Sequence, residues 1–257
     1  MTSLSLARPI SPWLEMGAYE CLWTKAHQTF KRISEMFQSQ ENSVPSDFIL
    51  PEVAEGCASE VADILRRSSI GRFGIRLRGT ADYPVRLSDA KYPVQLFYFQ
   101  GWWDLVDTRC VAVVGTRKPS DGGTKATDGI VRGLVKDGYT VVSGLAAGID
   151  TVAHRTAIDT GGRTIAVIGT PLSVVYPSEN DALQRKIASD FLIISQIPVI
   201  RYSRQDWKSN RSFFPQRNIT MSALTEATII VEASDTSGTL MQARAAIEQR
   251  RKLFILD

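Results

Sequence analysis

Histidine and cysteine are the scarcest chemistry-bearing residues in this 257-residue chain, with two His (His27 and His154) and three Cys (Cys21, Cys57 and Cys110). No CxxC pair occurs, and the five positions lie too far apart to form a metal-ligand cluster, so neither a zinc site nor any other metal or cofactor is expected. An odd, scattered set of thiols argues against a disulfide framework and for a reducing compartment. Long apolar runs are missing too. Nothing is long enough to span a bilayer, and the opening "MTSLSLARPISPW" lacks an uninterrupted apolar segment. These absences exclude a membrane role and predict a cytoplasmic protein. Excess charge of one sign is also absent, the formal net charge being only +3. One window departs from that balance. "RYSRQDWKSNRSFFPQRN", Arg201–Asn218, holds five basic residues and four aromatics around a single acid, Asp206, and leaves the remainder close to neutral. Local concentration of charge, rather than the total, steers an anionic ligand.

With 44% hydrophobic and 22% charged residues the chain has material for a substantial core. In "PWLEMGAYECLWTKAHQTFKRISEMF" apolar residues recur three or four apart, which predicts a helix capped by Ser11 with Pro12 in its first turn. A second helix is expected in "PEVAEGCASEVADILRRSS". Residues 1–70 therefore read as a small helical N-terminal domain. Residues 71–106, with two Tyr-Pro steps and short apolar runs, read as a connecting lead-in without elements of its own. From 107 to 257 the pattern is regular. The runs "CVAVVG", "YTVVSG", "RTIAVIG", "FLIIS", "TIIVE" and "KLFIL" alternate with amphipathic helical segments, the basic window lying as a loop after the fourth. Continuous apolar strands alternating with helices predict an α/β fold, a doubly wound Rossmann-like parallel sheet.

Such sheets bind ligands at the carboxyl ends of their strands, and those ends are decorated. After the first strand comes "GTRKPSDGG", with Gly115, Thr116, Arg117 and Ser120; it suits a phosphate, through glycines, helix N–H groups and a forked guanidinium, or else a tight strand–helix turn. After the second, Gly144 and Gly148 straddle a turn, and Asp150 and His154 share a helix face. The reading favoured there is structural, His154 donating to Asp150 and pinning the turn, over a catalytic couple. Near the end Ser237, Gly238 and Thr239 open a helix, where they cap it or hold a phosphate.

In order, "VAVVGTRKPSDGG", "VVSGLAAGIDTVAH", "TIAVIG" with "YPSEN", "FFPQRN" and "VEASDTSGTL" resemble the DNA-processing protein A (DprA/Smf) family over roughly Tyr83–Asp257. The resemblance implies an extended Rossmann fold that binds single-stranded DNA without strong sequence preference. It also implies loading of a RecA-type recombinase in natural transformation, a binding rather than enzymatic role, and a homodimer. The family's Gly-Ser/Thr-Arg turn falls on Gly115, Thr116 and Arg117, and its Phe-Pro-x-Arg-Asn element on Phe214, Pro215, Arg217 and Asn218. There are departures. Ile219 stands where a third basic residue is usual, "GTPLS" replaces a glycine-rich turn, Ser195-Gln196 replaces Ser-Glu, Gly122-Gly123 stands for Tyr-Gly, and no winged helix follows, so the chain resembles a divergent or shortened member.

Single-stranded nucleic acid requires cations along the phosphates and flat groups for stacking. Arg201, Arg204, Lys208, Arg211 and Arg217 offer the first; Tyr202, Trp207, Phe213 and Phe214 offer the second, with at least one of the paired phenylalanines expected in the core. The expected groove is lined by Arg117, Lys208, Arg211, Phe214, Arg217 and Asn218. The alternatives are a small-nucleotide sensor, a phosphoribohydrolase-like enzyme using Asp150 and Glu232, or a domain kept only for partner binding.

Overall fold

The computed structural model describes residues 10–40, 42–233 and 237–256, with the side chain of Ser237 left aside. Eight strands form one sheet: β1 (Gly74–Leu77), β2 (Leu96–Gly101), β3 (Cys110–Gly115), β4 (Thr140–Ser143), β5 (Arg163–Ile168), β6 (Leu192–Ser195), β7 (Ala227–Val231) and β8 (Lys252–Leu256). Their spatial order is β1-β2-β6-β5-β4-β3-β7-β8. From β6 to β8 all neighbours are parallel, as their continuous apolar runs predict. Alternate side chains supply the two faces. Val113, Val141 and Val231 pack under α4 (Asp121–Lys136) and α5 (Ile149–Asp159), while Val114, Val142 and Ile230 join the larger core on the other side. That larger core takes in Phe213, Met221 and Leu224 of α9 (Phe213–Leu224). Along the sheet, the chain runs from β3 through β4, β5 and β6 to one side, then returns to place β7 on the other side of β3. The resulting crevice at the carboxyl ends of β3 and β7 is the switch point of a doubly wound sheet.

Three segments differ from expectation. The stretch 71–106 is not an elementless lead-in. It contributes β1 and β2, which pair antiparallel with each other and with β6 and extend the sheet. "LFYFQG" is nearly all apolar and aromatic, and its first three residues are buried. The expected long N-terminal helix is two helices, α1 (Pro12–Thr24) and α2 (Phe30–Gln38), separated by a turn in which His27 has φ 59°. Thr29 restarts the helix by accepting from the Arg32 N–H at 3.1 Å. Apolar spacing continued through the break because both helices bury a face in one core. Ser11 does cap α1, accepting from Leu14 N–H, and the second expected helix is α3 (Pro51–Arg67). Cys21 and Cys57 are joined in a disulfide with Cα atoms 6.1 Å apart, against the expectation of free thiols. Docking of α1 on α3 brings them together, a proximity that spacing along the chain does not reveal. Cys110 is a buried free thiol.

The basic window is helical rather than a loop. It forms α7 (Val199–Arg204), α8 (Trp207–Asn210) and the first half of α9. A buried carboxylate starts it. Glu20 of α1 accepts from Val199 N–H (2.8 Å), Ile200 N–H (2.9 Å) and the Tyr98 hydroxyl (2.5 Å), tying the N-terminal helices to β2 and to the start of α7. The remaining α-helices among the described residues are α6 (Asp181–Asp190) and α10 (Ser237–Glu248).

Candidate nucleic-acid interface

The turn after β3 is locked to the start of α5. Thr116 O accepts from Ile149 N–H at 3.1 Å, and the Thr116 hydroxyl accepts from Lys118 N–H at 3.2 Å. Gly148 has φ +77°, and a Cβ there would strike Thr116 O, so the close approach of the two turns requires glycine. The lock leaves Arg117 exposed, and among the described residues its guanidinium has no hydrogen-bond or ion-pair partner. Ser120 behaves differently. Its hydroxyl accepts from Gly123 N–H at 3.0 Å as the cap of α4, and both its N–H and O–H donate to Glu232. Those bonds hold the Glu232 carboxyl below its usual range. Ser120 is therefore a cap committed to Glu232 and does not line the cleft.

Arg217 forms the floor. It is buried, with Nη1 donating to Gly144 O (2.5 Å) and Val167 O (2.6 Å) at the ends of β4 and β5, and Nε donating to Asn218 Oδ1 (2.9 Å). Asn218 in turn donates to Gly238 O at 3.0 Å, joining α9 to the first turn of α10. A Cβ on Gly144 would collide with the guanidinium. Asp150, also buried, accepts from Gly144 N–H (3.1 Å) and Ala146 N–H (3.3 Å) and so folds the β4 turn back on the helix start. Burial raises the Asp150 carboxyl and lowers the Arg217 guanidinium from their ordinary values, while each attracts the other and opposes its shift.

His154 does not pair with Asp150, contrary to expectation. His154 Nδ1 is hydrogen-bonded with Thr164 Oγ1 at 2.7 Å, and the Thr164 hydroxyl also reaches Val141 O at 2.8 Å. The ring is fully buried, burial pushes its pKa down to about 3, and it stays neutral. Asp150 serves the turn alone, because its side chain reaches back to backbone N–H groups rather than along the helix.

An aromatic wall faces this floor. Tyr176, Trp207 and Phe214 form a triad with ring centroids 4.9 Å (Tyr176–Trp207), 5.4 Å (Tyr176–Phe214) and 6.0 Å (Trp207–Phe214) apart. Trp207 is 47% exposed. The paired phenylalanines divide as expected. Phe214 lines the cleft, while Phe213 is buried against Trp23 and Phe30. Tyr202 is buried as well. Arg211 reaches the cleft; Lys208 is exposed on α8 beside it without lining it. The front of the window is structural. Arg201 donates to Gln28 O (2.7 Å) and lies over Trp23, and Arg204 Nη2 donates to both carboxylate oxygens of Glu60 (2.7 and 2.8 Å). Gly238 and Thr239 line the far side at the start of α10, while the side chain of Ser237 lies outside the described atoms. The cleft measures about 680 Å³. Sequence reasoning assigned no role to Tyr176, Lys118 or Gln242, which also line it. The "YPSEN" motif was the available signal for Tyr176; nothing in the sequence marks Gln242. Among the described residues no His/Cys/Asp/Glu group could hold a metal ion.

An exposed arginine with no partner among the described residues, beside a wall of aromatic rings at the switch point of a parallel sheet, marks an α/β protein of the Rossmann-like class. Within that class the chain belongs to the DNA recombination-mediator protein A family, whose model matches residues 75–257. It is 41% identical to Protein Smf of Synechocystis over 179 residues, covering 68% of this chain and 44% of that one. It is 39% identical to DNA processing protein DprA of Streptococcus pneumoniae over 174 residues, covering 68% and 59% respectively. The chain thus spans about half the length of the curated relatives it matches. The X-ray structure of the Streptococcus pneumoniae DNA processing protein A superposes with TM-score 0.68 at 28% identity, over 97% of this chain and 88% of that one. A structure of DNA processing protein A from Helicobacter pylori, described by its single-stranded DNA binding mode, superposes with TM-score 0.62 at 30% identity, over 72% and 81%.

Proposed function

We propose that this protein binds single-stranded DNA in the cleft between β3, α9 and α10, and acts in DNA processing or recombination. The observation that carries the reading is that exposed Arg117, with no partner among the described residues, lines the same cleft as the Tyr176–Trp207–Phe214 triad. Cations track the strand's phosphates while its bases stack on the rings, an arrangement tolerant of sequence. A duplex keeps its bases stacked inward and gains nothing from the wall. Arg217 and Asp150 are preorganised as the floor and hold the carbonyl and N–H groups of the β4 turn in place. Kinship with the Helicobacter pylori protein, whose structure is described by single-stranded DNA binding, supports the same reading.

The finer role is loading of a RecA-type recombinase by a homodimer in the cytoplasm. The homodimer part is supported by β8, an edge strand with Phe254 (52%) and Ile255 (57%) exposed; a second copy covering that edge would remove an unpaired apolar strand from water. No described helix is long and apolar enough to cross a membrane.

A second reading, a mononucleotide sensor, is favoured by the two helix starts, α5 and α10, that meet the cleft. The hydrolase reading has less support. Asp150 is engaged by two backbone N–H groups and Glu232 by Ser120, so neither carboxylate is free to act on a sugar. Titrating labelled oligothymidine, a matched duplex and nucleoside monophosphates separates the readings. Single strands should bind tightest, with affinity falling steeply with salt. Equal affinity for duplex, or saturation by monophosphates alone, would overturn the proposal.

A further inference from the structure

The side of α9 facing away from the cleft borders a second cavity, of about 580 Å³. The division follows helix periodicity. Phe214, Arg217, Asn218 and Met221 line the first cleft, whereas Gln216, Ile219 and Thr220 line the second. The far wall comes from Phe30 of α2 and from Tyr92 and Val94 of the segment before β2, and the base from Gln196 and Gln249. Nothing in the DNA-binding reading uses this space.

Its polar groups are amides. Gln249 is 7% exposed; its Nε2 donates to Ile219 O at 3.1 Å, which fixes the orientation of the amide and leaves Oε1 buried without a hydrogen-bond partner. A buried acceptor without a partner costs free energy unless something reaches it. Gln196, 1% exposed, bonds through one end of its amide to the Thr220 hydroxyl, and its NH2 end has no partner among the described residues. The cavity is thus bordered, between aromatic and aliphatic walls, by two buried amides, one with an unmet acceptor and one with an unmet donor among the described residues. Charge does not accumulate there. Lys91 is the one cation lining it, against Asp89 and Glu248, and Asp89 is paired with Arg251 at 2.7 Å. An anion would find no net attraction. A flat, neutral ring with a donor and an acceptor on one edge fits all three features.

We propose that this cavity is a binding site for a neutral nucleobase, supplied by a free nucleoside or by an unstacked base of the strand held in the neighbouring cleft. Amide side chains read base edges through paired donor and acceptor bonds, and aromatic walls take the ring faces. The site goes beyond the DNA-binding reading, and its first test does not depend on it. Adenosine, guanosine, cytidine and thymidine are titrated calorimetrically against the full chain and against Gln249→Leu, Gln196→Leu and Arg117→Ala.

The expected result is saturable binding of at least one nucleoside, insensitive to salt and no tighter for its monophosphate. It should weaken at least about tenfold in either glutamine variant and stay unchanged in Arg117→Ala. If no free nucleoside binds, the second arm compares an oligonucleotide with one carrying an abasic site. A loss on removing the base that is abolished in both glutamine variants, each checked for an unaltered melting temperature, assigns the base to the strand. No nucleoside binding together with no base-dependent loss in the second arm would overturn the proposal, as would nucleoside binding that both glutamine variants retain. Loss of oligonucleotide binding in Arg117→Ala with nucleoside binding intact separates the two sites.

Discussion

Arg117 and Arg217 bring like charge to one cleft and are held in opposite ways. Arg117 stands exposed with no partner among the described residues, so removing it costs the fold nothing that the structure shows. Arg117→Ala should weaken single-strand binding about tenfold and lower the salt slope by about one, with little effect on the melting temperature from the described contacts. Arg217 is buried on two strand-end carbonyls beside Asp150. Arg217→Ala strands two buried acceptors and removes the charge that attracts Asp150, a loss of about 1–3 kcal/mol, so thermal unfolding of this variant should move down by several degrees together with any loss of binding. Phe214→Ala should remove one stacking surface, worth roughly 1–3 kcal/mol of oligonucleotide affinity. At this scale the sequence was readable where a motif names a side chain that points into the cleft, as for Arg117, Phe214 and Arg217. It was silent where a side chain chooses between neighbours. Ser120 goes to Glu232, a residue 112 positions away, and His154 to Thr164 rather than to Asp150; spacing along a helix cannot rank such choices.

The helices α7, α8 and α9 turn one basic window into two surfaces with different work. The first half, through Arg201 and Arg204, fastens the N-terminal helices; only the second half, from Trp207 onward, meets the cleft. The short helices escaped sequence reading because pieces of four and six residues are too brief to display a period. The strands β3 to β8 were legible because each is a short, largely apolar run, rich in β-branched residues in β4, β5 and β7, while β1 and β2 were obscured by the Tyr-Pro steps and turns around them. The joint at the start of α7 is testable by pH. Burial pushes the Glu20 carboxyl up to about 7, against its three donors. The folded state therefore holds a proton that the unfolded chain releases above its ordinary value of 4.5. This group's stabilisation is complete below that value, declines as pH rises through about 7 and is level beyond. Buried neutral His154 works the other way, losing stability as pH falls below its ordinary 6.5, so the comparison is made against Glu20→Gln at each pH. The melting temperature of the wild type relative to that variant should fall between about pH 5 and pH 8. A constant difference would show that Glu20 does not titrate in that range.

Across the whole molecule, the N-terminal helices, the two antiparallel strands and the parallel sheet share one hydrophobic core, which leaves β8 as the exposed apolar edge. Phe254→Asp should convert a dimer to a monomer in sedimentation or light scattering while the melting temperature of the monomer holds; a wild type that is monomeric at all concentrations would remove β8 as the dimer edge. Fold class was legible at this scale because alternation of apolar strands and amphipathic helices leaves few arrangements. The disulfide and the union of the helices with the sheet were not, since both depend on packing between segments distant in sequence. On the proposed reading, single-stranded DNA is gripped by Arg117 and the second half of the window, and not by Arg204. Fluorescence-anisotropy titration of oligothymidine with the wild type, Arg117→Ala and Arg204→Ala tests it most directly. Affinity should fall about tenfold for Arg117→Ala and stay within about twofold for Arg204→Ala, whose guanidinium is paired with Glu60. Equal affinity of Arg117→Ala and the wild type, or an equal loss in both variants, would contradict the account.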